Sequence, residues 1–203
     1  MTFRIWIKIF CTSLVVLTLA GTFGYFSLSR LKHNARLIVN DTLPGLSYAG
    51  EVNLYLAEAA RTLLFIVTED SNQRQALRQE ISSFSTRTTS WLERYATQVD
   101  SVEDRTNFDT LTQERQAYIK IREQVLELAY AGKKSEALAI YNETLMPAQK
   151  RVKTAADKLF EYNMRQGEQR GREILTRCTI TQITVAVLSV VIFMAGFFIG
   201  LFK

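Results

Sequence analysis

The chain is poor in the residues that build disulfides and metal centres. Its 203 residues include one histidine, His33, and two cysteines, Cys11 and Cys178. Each cysteine lies near the start of one of two long apolar runs, which are described below. If these runs cross a membrane in opposite directions, the two cysteines lie at opposite membrane faces, far beyond the ~7 Å Cα separation that a disulfide bridges. We therefore expect no disulfide, no metal site and no cofactor. No grouping of side chains predicts catalysis, so we expect a protein that is not an enzyme.

Proline and glycine are also scarce. Two prolines and nine glycines leave little room for turns, whereas 47% of the residues are hydrophobic. This composition favours long helices over sheets, and it predicts an all-α protein.

The excess of positive charge lies at the ends of the chain. The formal net charge is +5, from 25 Lys and Arg against 20 Asp and Glu. Without Arg4, Lys8 and Lys203, residues 29–177 carry 22 cations against the same 20 anions, so their net charge is about +2. Both signs are interspersed there, as on a solvated helix surface, and no nucleic-acid-binding stripe is expected.

Two long runs contain no charged residue. Ile9–Leu28 is 20 residues long and Cys178–Phe202 is 25, and the second run would form about 38 Å of helix, enough to cross a hydrocarbon core ~30 Å thick. A signal peptide cleaved after Ala20 is an alternative for the first run, although a signal peptide needs only ~7–15 apolar residues.

These runs predict a protein that crosses a lipid bilayer twice. The long connecting segment can be translocated despite its charges, which places both tips in the cytoplasm. The predicted segments are a cytoplasmic tip at 1–8, transmembrane helices at 9–28 and 178–202, an external domain at 29–177 and a second tip at 203.

Between the runs, apolar residues recur at helical spacing in four stretches of similar length. Such faces are typical of helices that pack along their length, and they predict an antiparallel up-down-up-down four-helix bundle. In chain order the faces are Ala49, Val52, Leu56, Ala59, Leu63, Ile66; then Leu77, Ile81, Phe84, Thr88, Trp91, Tyr95; then Phe108, Leu111, Tyr118, Ile121, Val125, Leu128; and last Leu138, Tyr141, Leu145, Ala148, Val152, Ala155, Leu159, Tyr162.

Turn and capping residues predict where these helices begin and end. Pro44 fits the first turn of a helix capped by Asp41, although a kink in a continuous helix is the alternative. Pro147 lies inside the last stretch, where we expect a bend in a helix that continues. The remaining signals are a turn at Glu69–Asn72 with Ser71 or Asn72 as cap, a corner at Asp100-Ser101, Gly132 after the third helix and Ser135 as the last cap.

A second stripe runs along the first bundle helix beside its apolar face. Leu54, Glu58, Arg61 and Phe65 form it, and we interpret Leu54 and Phe65 as candidate subunit-interface residues. Glu58 and Arg61 at i,i+3 form in the simplest case a surface ion pair. Alternatively, Arg61 binds a carboxylate or another anion at a subunit seam, with Glu58 beside it.

Pairs of small residues four apart lie in both apolar runs. Ala20 and Gly24 form one pair, and Gly196 and Gly200 form the other. Such pairs permit close approach of helices in lipid, so these four residues are candidates for transmembrane packing.

A set of positions spread along the chain forms a recognisable pattern: the first apolar run, then Asn40–Pro44 with Arg61 some seventeen residues on, then Tyr118 with Arg122, and finally Gly132, Ala137, Tyr141, Pro147 and the second run. In this pattern the chain resembles the periplasmic four-helix-bundle sensor module of bacterial methyl-accepting chemotaxis receptors. The resemblance implies a homodimer in the bacterial inner membrane with a ligand site near the dimer interface. It also implies that signals pass along the last helix into the second span.

The family pattern continues beyond the second span into a HAMP linker and an output domain, whereas this sequence stops at Lys203. A sensory module read by a separate cytoplasmic output protein is therefore our first hypothesis, with a small anion or a periplasmic binding protein as the stimulus. A free-standing module, a split receptor and a truncated remnant all remain open. The second hypothesis is a membrane-anchored structural tether that binds an envelope protein.

Overall fold

A computed structural model describes residues 2–68, 74–99 and 101–201, and no strand occurs among them. The prediction of an all-α protein is thus confirmed for this part of the chain. The helices are α1 (Thr2–Leu37), α2 (Leu43–Thr68), α3 (Arg74–Ala96), α4 (Val102–Tyr130), α5 (Lys134–Ile140) and α6 (Met146–Leu201). Two π-helical turns, Ile38–Thr42 and Tyr141–Leu145, connect α1 to α2 and α5 to α6.

The chain divides into two compact units. Asn40–Gln166 forms one, which we call the bundle unit, and Met1–Val39 with Gly167–Lys203 forms the other, which we call the terminal unit. In the bundle unit α2 packs against α3, α4 and α5, and α4 packs against α5 and the π turn that follows it. The first part of α6 contributes to the same hydrophobic core.

The apolar faces read from the sequence largely form this core. All six predicted residues of α2 are buried, as are Ile81, Thr88 and Tyr95 of α3. The fourth face is buried from Tyr141 to Tyr162. Helix periodicity therefore predicted correctly which side of each of these helices faces the core.

The two prolines each follow a π turn at the same distance. Pro44 and Pro147 lie two residues after the turns end. Proline has no N–H, and its ring collides with the carbonyl four residues earlier in an α-helix. A wider turn removes this conflict: the N–H of Met146 bonds the carbonyl of Tyr141, five residues back.

These turns correct two predictions. Asp41 is not an N-cap, because the helix does not restart there and Asp41 lies inside the first π turn. Leu138 is not a core residue: it is exposed, and Ala137 is buried in its place. The π turn adds one residue to the helix, so the buried residues Ala137, Tyr141 and Leu145 are spaced by four and four instead of three and four. The predicted continuity of the helix through Pro147 is confirmed.

Local capping chemistry explains two corners. Ser101 caps α4, since its hydroxyl accepts a 3.1 Å hydrogen bond from the N–H of Asp104. Gly132 has a φ of +75°, and bonds from Gly132 N to Ala129 O and from Lys133 N to Leu128 O complete a Schellman motif at the end of α4. The cap predicted at Ser135 is wrong, because the next helix begins at Lys134. The predicted turn at 69–72 lies outside the described residues, as does Asp100.

A buried polar network joins helices of the bundle unit. Asn163 on α6 donates to the hydroxyl of Tyr95 on α3 at 2.8 Å, and that hydroxyl donates to Asp104 Oδ1 on α4 at 2.6 Å. Gly45 on α2 touches the same amide: a Cβ there would lie 2.5 Å from Asn163 Cγ. Each of the four helices therefore contributes one residue to this contact.

In the terminal unit, side chains of α1 and of the last part of α6 meet. Asn34 donates a 3.0 Å hydrogen bond to Glu173 Oε2, and Gly24 and Leu28 line a cavity together with Cys178 and Gln182. Large apolar side chains are exposed along both segments. Among the described residues, one helix, within Lys134–Met194, is long and apolar enough to cross a membrane, and none of its apolar window is buried in the protein.

Candidate functional site

The predicted stripe on α2 is an exposed surface. Leu54 and Phe65 retain 55% and 44% of their accessible surface, although both are large apolar residues. Between them, Arg61 donates a 2.9 Å hydrogen bond to Glu58 Oε2. The stripe faces away from the core, because the other side of α2 carries the buried seam.

The Arg61–Glu58 ion pair is too exposed to contribute much to the stability of the fold. The side chains are 77% and 39% exposed, and such pairs contribute less than about 1 kcal/mol. A guanidinium has five N–H donors and this pair engages one of its nitrogens, so Arg61 keeps donors for a further acceptor. The stripe by itself forms no enclosed site among the described residues.

Exposed apolar residues in the bundle unit are concentrated on two neighbouring elements. Apart from Val102 at the start of α4, the exposed large apolar residues among the described positions of this unit lie on α2 or on the α5–α6 stretch. These two elements are adjacent, since Asn53 of α2 donates a 2.8 Å hydrogen bond to Asp157 of α6. The members are Leu43, Leu54, Leu64 and Phe65, and Leu138, Met146, Phe160 and Met164.

A second candidate site, which the sequence analysis missed, lies inside the bundle unit. A small cleft of about 30 Å³ is lined by residues of α2, α3, α4 and α6, among them Arg115, Tyr118 and Arg122 of α4. Arg122 is buried and Arg115 is half-buried. We call this the arginine cleft.

Hydrogen bonds to α3 hold both guanidinium groups. Arg115 donates to the carbonyl of Ser85 at 2.8 Å and to the hydroxyl of Thr89 at 2.9 Å. Arg122 donates to the hydroxyl of Ser85 at 2.7 Å and pairs with Glu123 at 2.7 Å. The two arginines therefore converge on one turn of α3 around Ser85.

The charge balance in the arginine cleft favours an anion. Burial, together with the charge of Arg122, lowers the pKa of Arg115 below its usual value. Glu123 pairs with Arg122 and also lies 4.0 Å from Arg78. Arg115 has no carboxylate within ion-pair distance among the described residues, so its positive charge is not balanced by an ion pair.

Tyr118 brings a buried hydroxyl without a hydrogen-bond partner in the described structure. Only 3% of the residue is exposed, and burial raises the pKa of its hydroxyl to about 12. Leaving such a group unsatisfied costs about 1–3 kcal/mol. The neutral hydroxyl can donate to an acceptor.

The sequence contained a signal for this cleft. Leu111, Arg115, Tyr118, Arg122 and Val125 follow the 4,3,4,3 spacing of a buried seam. Two arginines thus occupy positions that face the bundle interior. The predicted buried face of α4 did not include either arginine, because only apolar residues were assigned to it. Arg122 was named only as one of the residues that carry the family resemblance.

The remaining predicted site residues lie in the terminal unit. Ala20 and Gly24 are on α1 and half-buried, and no heavy atom lies within 4 Å of a Cβ built on Gly24. Gly196 and Gly200 belong to α6, but the surroundings of these two positions lie outside what the structure describes. The role of all four in transmembrane packing stays a prediction.

The described residues contain no group of three or more His, Cys, Asp or Glu side chains that could hold a metal ion. Cys178 is a free thiol and half-buried. Independently of this, the α2 stripe offers Arg61, and the arginine cleft offers two guanidinium groups and the Tyr118 hydroxyl, all of which suit binding of an anion.

Comparison with known proteins gives one family. A family model described as a four-helix-bundle sensory module for signal transduction matches residues 5–177, well over half of the chain. No curated protein matches the chain.

Proposed function

Because the chain belongs to the family of four-helix-bundle sensory modules for signal transduction, we propose that it is a dimeric sensor anchored in the bacterial inner membrane. In this proposal the bundle is antiparallel, residues 29–177 lie in the periplasm, and residues 9–28 and 178–202 cross the bilayer. An output module, on this or a separate polypeptide, reads the signal in the cytoplasm.

Membrane anchoring is supported by the surface of the terminal unit. The apolar window of α6 is unburied, and the exposed residues of α1 include Leu17, Leu19 and Phe26. Apolar surface of this extent is unfavourable in water but matches a lipid environment.

The observation that carries the dimer proposal is the distribution of exposed apolar side chains in the bundle unit. Among the described residues they lie on α2 and on the α5–α6 stretch, which are neighbours, and α3 and α4 carry none besides Val102. A twofold dimer needs one self-complementary patch on each subunit, and this surface is the patch that the bundle unit offers.

Arg61 and Glu58 lie on that patch. If the patch forms the dimer interface, burial would make the guanidinium a strong anchor for a carboxylate, because charge-assisted bonds strengthen away from water. We therefore propose a small anion, free or presented by a periplasmic binding protein, as the ligand at Arg61.

Signalling would use α6, which begins in the bundle unit and ends in the terminal unit. A ligand can drive a change only by binding two helix arrangements with different affinities. A ligand at the seam between subunits would favour one arrangement of α2 against α6, and α6 would carry that difference to the membrane.

The dimer is tested by disulfide cross-linking of the full chain in membranes. Leu54→Cys and Phe65→Cys, each with Cys11 and Cys178 replaced by Ser, should form covalent dimers under mild oxidation, since residues near a twofold axis approach their own copies. Lys120→Cys, on an exposed part of α4, is the matched control and should stay monomeric. Equal cross-linking at all three positions would reject this interface.

Sensing is tested by thermal melting of the full chain in detergent against a panel of small carboxylates. One of them should raise the Tm, and Arg61→Gln should abolish that rise, whereas Arg151→Gln, at another exposed ion pair, should not. A dimer that responds to no anion but co-purifies with an envelope protein would instead support the tether.

A further inference from the structure

We propose that the arginine cleft binds one small monovalent anion, of the size of chloride, nitrate or formate, between Arg115, Arg122 and Tyr118. This site is separate from the α2 stripe, and the proposal does not depend on a ligand at Arg61.

The first argument is charge. Arg115 and Arg122 lie seven residues apart on one face of α4, about 10 Å along its axis, and both are held against Ser85 of α3. Glu123 is the carboxylate paired with Arg122. A cation removed from water is costly unless an anion accompanies it. An anion beside Arg115 would balance the second charge.

The second argument is the hydroxyl of Tyr118. Its side chain lines the cleft together with the two arginines, it is almost completely buried, and its oxygen has no hydrogen-bond partner in the described structure. Arginine offers only donors, so neither guanidinium can accept from this hydroxyl. An anion, by contrast, is an acceptor for each of the three groups.

The third argument is size and polarity. The cleft has about 30 Å³ of free space, which is enough for a small ion, because one water molecule needs about 10–15 Å³ of such space. Val52, Leu56 and Val152 form apolar walls, which strengthen the attraction between an ion and the guanidinium groups.

The experiment uses the full chain in a non-ionic detergent at about 150 mM sodium salt. Chloride, nitrate and formate are compared with gluconate, which is much bulkier than these three anions, at constant ionic strength. An anion at ten times its Kd should raise the Tm by roughly 3–5 °C over gluconate. Chloride-35 NMR should show line broadening that nitrate reverses by competition.

Tyr118→Phe is the decisive variant. It should melt no lower than the wild type in gluconate, because it removes an unsatisfied hydroxyl and keeps the ring, and it should lose most of the rise in chloride. Arg115→Gln should lose the rise as well. Thr112→Val is the matched control, since Thr112 also has a buried hydroxyl without a partner but does not line the cleft, and it should keep the full rise.

Arg61→Gln should leave the chloride response intact, which separates this site from the one proposed on α2. The proposal is overturned if chloride, nitrate and formate give the same Tm as gluconate. It is also overturned if the rise persists unchanged in Tyr118→Phe and Arg115→Gln, because the ion would then act elsewhere on the protein.

Discussion

Replacing Gly45 by alanine should destabilise the bundle unit strongly, although alanine is the better helix former. The added Cβ would lie 2.5 Å from Cγ and 2.8 Å from Nδ2 of Asn163, and it would also meet Oδ1. Asn163 is buried and bonded to Tyr95 and to the carbonyl of Leu159. Either α2 must move away from α6, or the amide must rotate and lose these bonds.

The magnitude follows from these two costs. Overpacking of a core costs about 1–3 kcal/mol, and leaving a buried polar group unsatisfied costs about 1–3 kcal/mol. The gain in helix propensity offsets about 1 kcal/mol. We expect the free energy of unfolding to fall by about 3 kcal/mol, measured by urea unfolding of the full chain in detergent with circular dichroism.

Gly50→Ala is the matched control, because Gly50 lies on the same helix, is exposed, and has no heavy atom within 4 Å of a Cβ. It should gain up to about 1 kcal/mol. In an Asn163→Ala background the obstacle is gone, so Gly45→Ala should no longer cost stability. Similar effects of the two glycine substitutions, or an undiminished cost in that background, would refute the reasoning.

Three further predictions concern tyrosine ionisation and helix ends. The pKa of Tyr118 is about 12 in the folded protein against 10.0 ordinarily, so its ionisation does not change stability below pH 10 and lowers stability as pH rises from 10 towards 12, because the unfolded chain ionises first. Between pH 10 and 12, the free energy of unfolding of Tyr118→Phe should therefore fall by about 1.4 kcal/mol less per pH unit than that of the wild type, measured by urea unfolding at stepped pH. Ser101→Ala should lower the free energy of unfolding by about 1 kcal/mol, because the N–H of Asp104 loses its cap and the bond between Ser101 and the Tyr162 hydroxyl is lost. Gly132→Ala should cost about 1–2 kcal/mol, because alanine is strained at a φ of +75°; an unchanged unfolding midpoint for either variant would contradict the capping geometry.

Features set by short stretches of sequence were predictable. The buried seam of α2, the corner at Ser101 and the glycine after α4, Gly132, each depend on residues within one or two turns. Helix periodicity and helix caps depend on residues that are close in the sequence, so they can be predicted without knowing the tertiary contacts.

The response of the backbone to proline was not predictable in the same way. Pro44 can start a helix or lie in a continuous one, and packing of the flanking segments decides between the two. The structure keeps the helix continuous through a π turn at both prolines, and that turn moves the core position from Leu138 to Ala137. A prediction from periodicity assumes α-helical spacing throughout, so it cannot account for the extra residue in a π turn.

The arginine cleft required partners that are distant in the sequence. Arg115 and Arg122 contact Ser85, 30 and 37 residues away, and a charged residue on a seam cannot be assigned to the interior until a polar partner is known. The same holds for Asn163, whose partner Tyr95 is 68 residues away.

The most direct test of the sensor proposal is the location of the bundle unit relative to the membrane. A membrane-impermeant maleimide is applied to spheroplasts that express the chain with Cys11 and Cys178 replaced by Ser and with Lys150→Cys, at an exposed position of α6. We predict labelling of intact spheroplasts at this position, while Lys203→Cys is labelled only after lysis. Labelling of Lys150→Cys only after lysis would place the bundle unit in the cytoplasm and contradict the proposal.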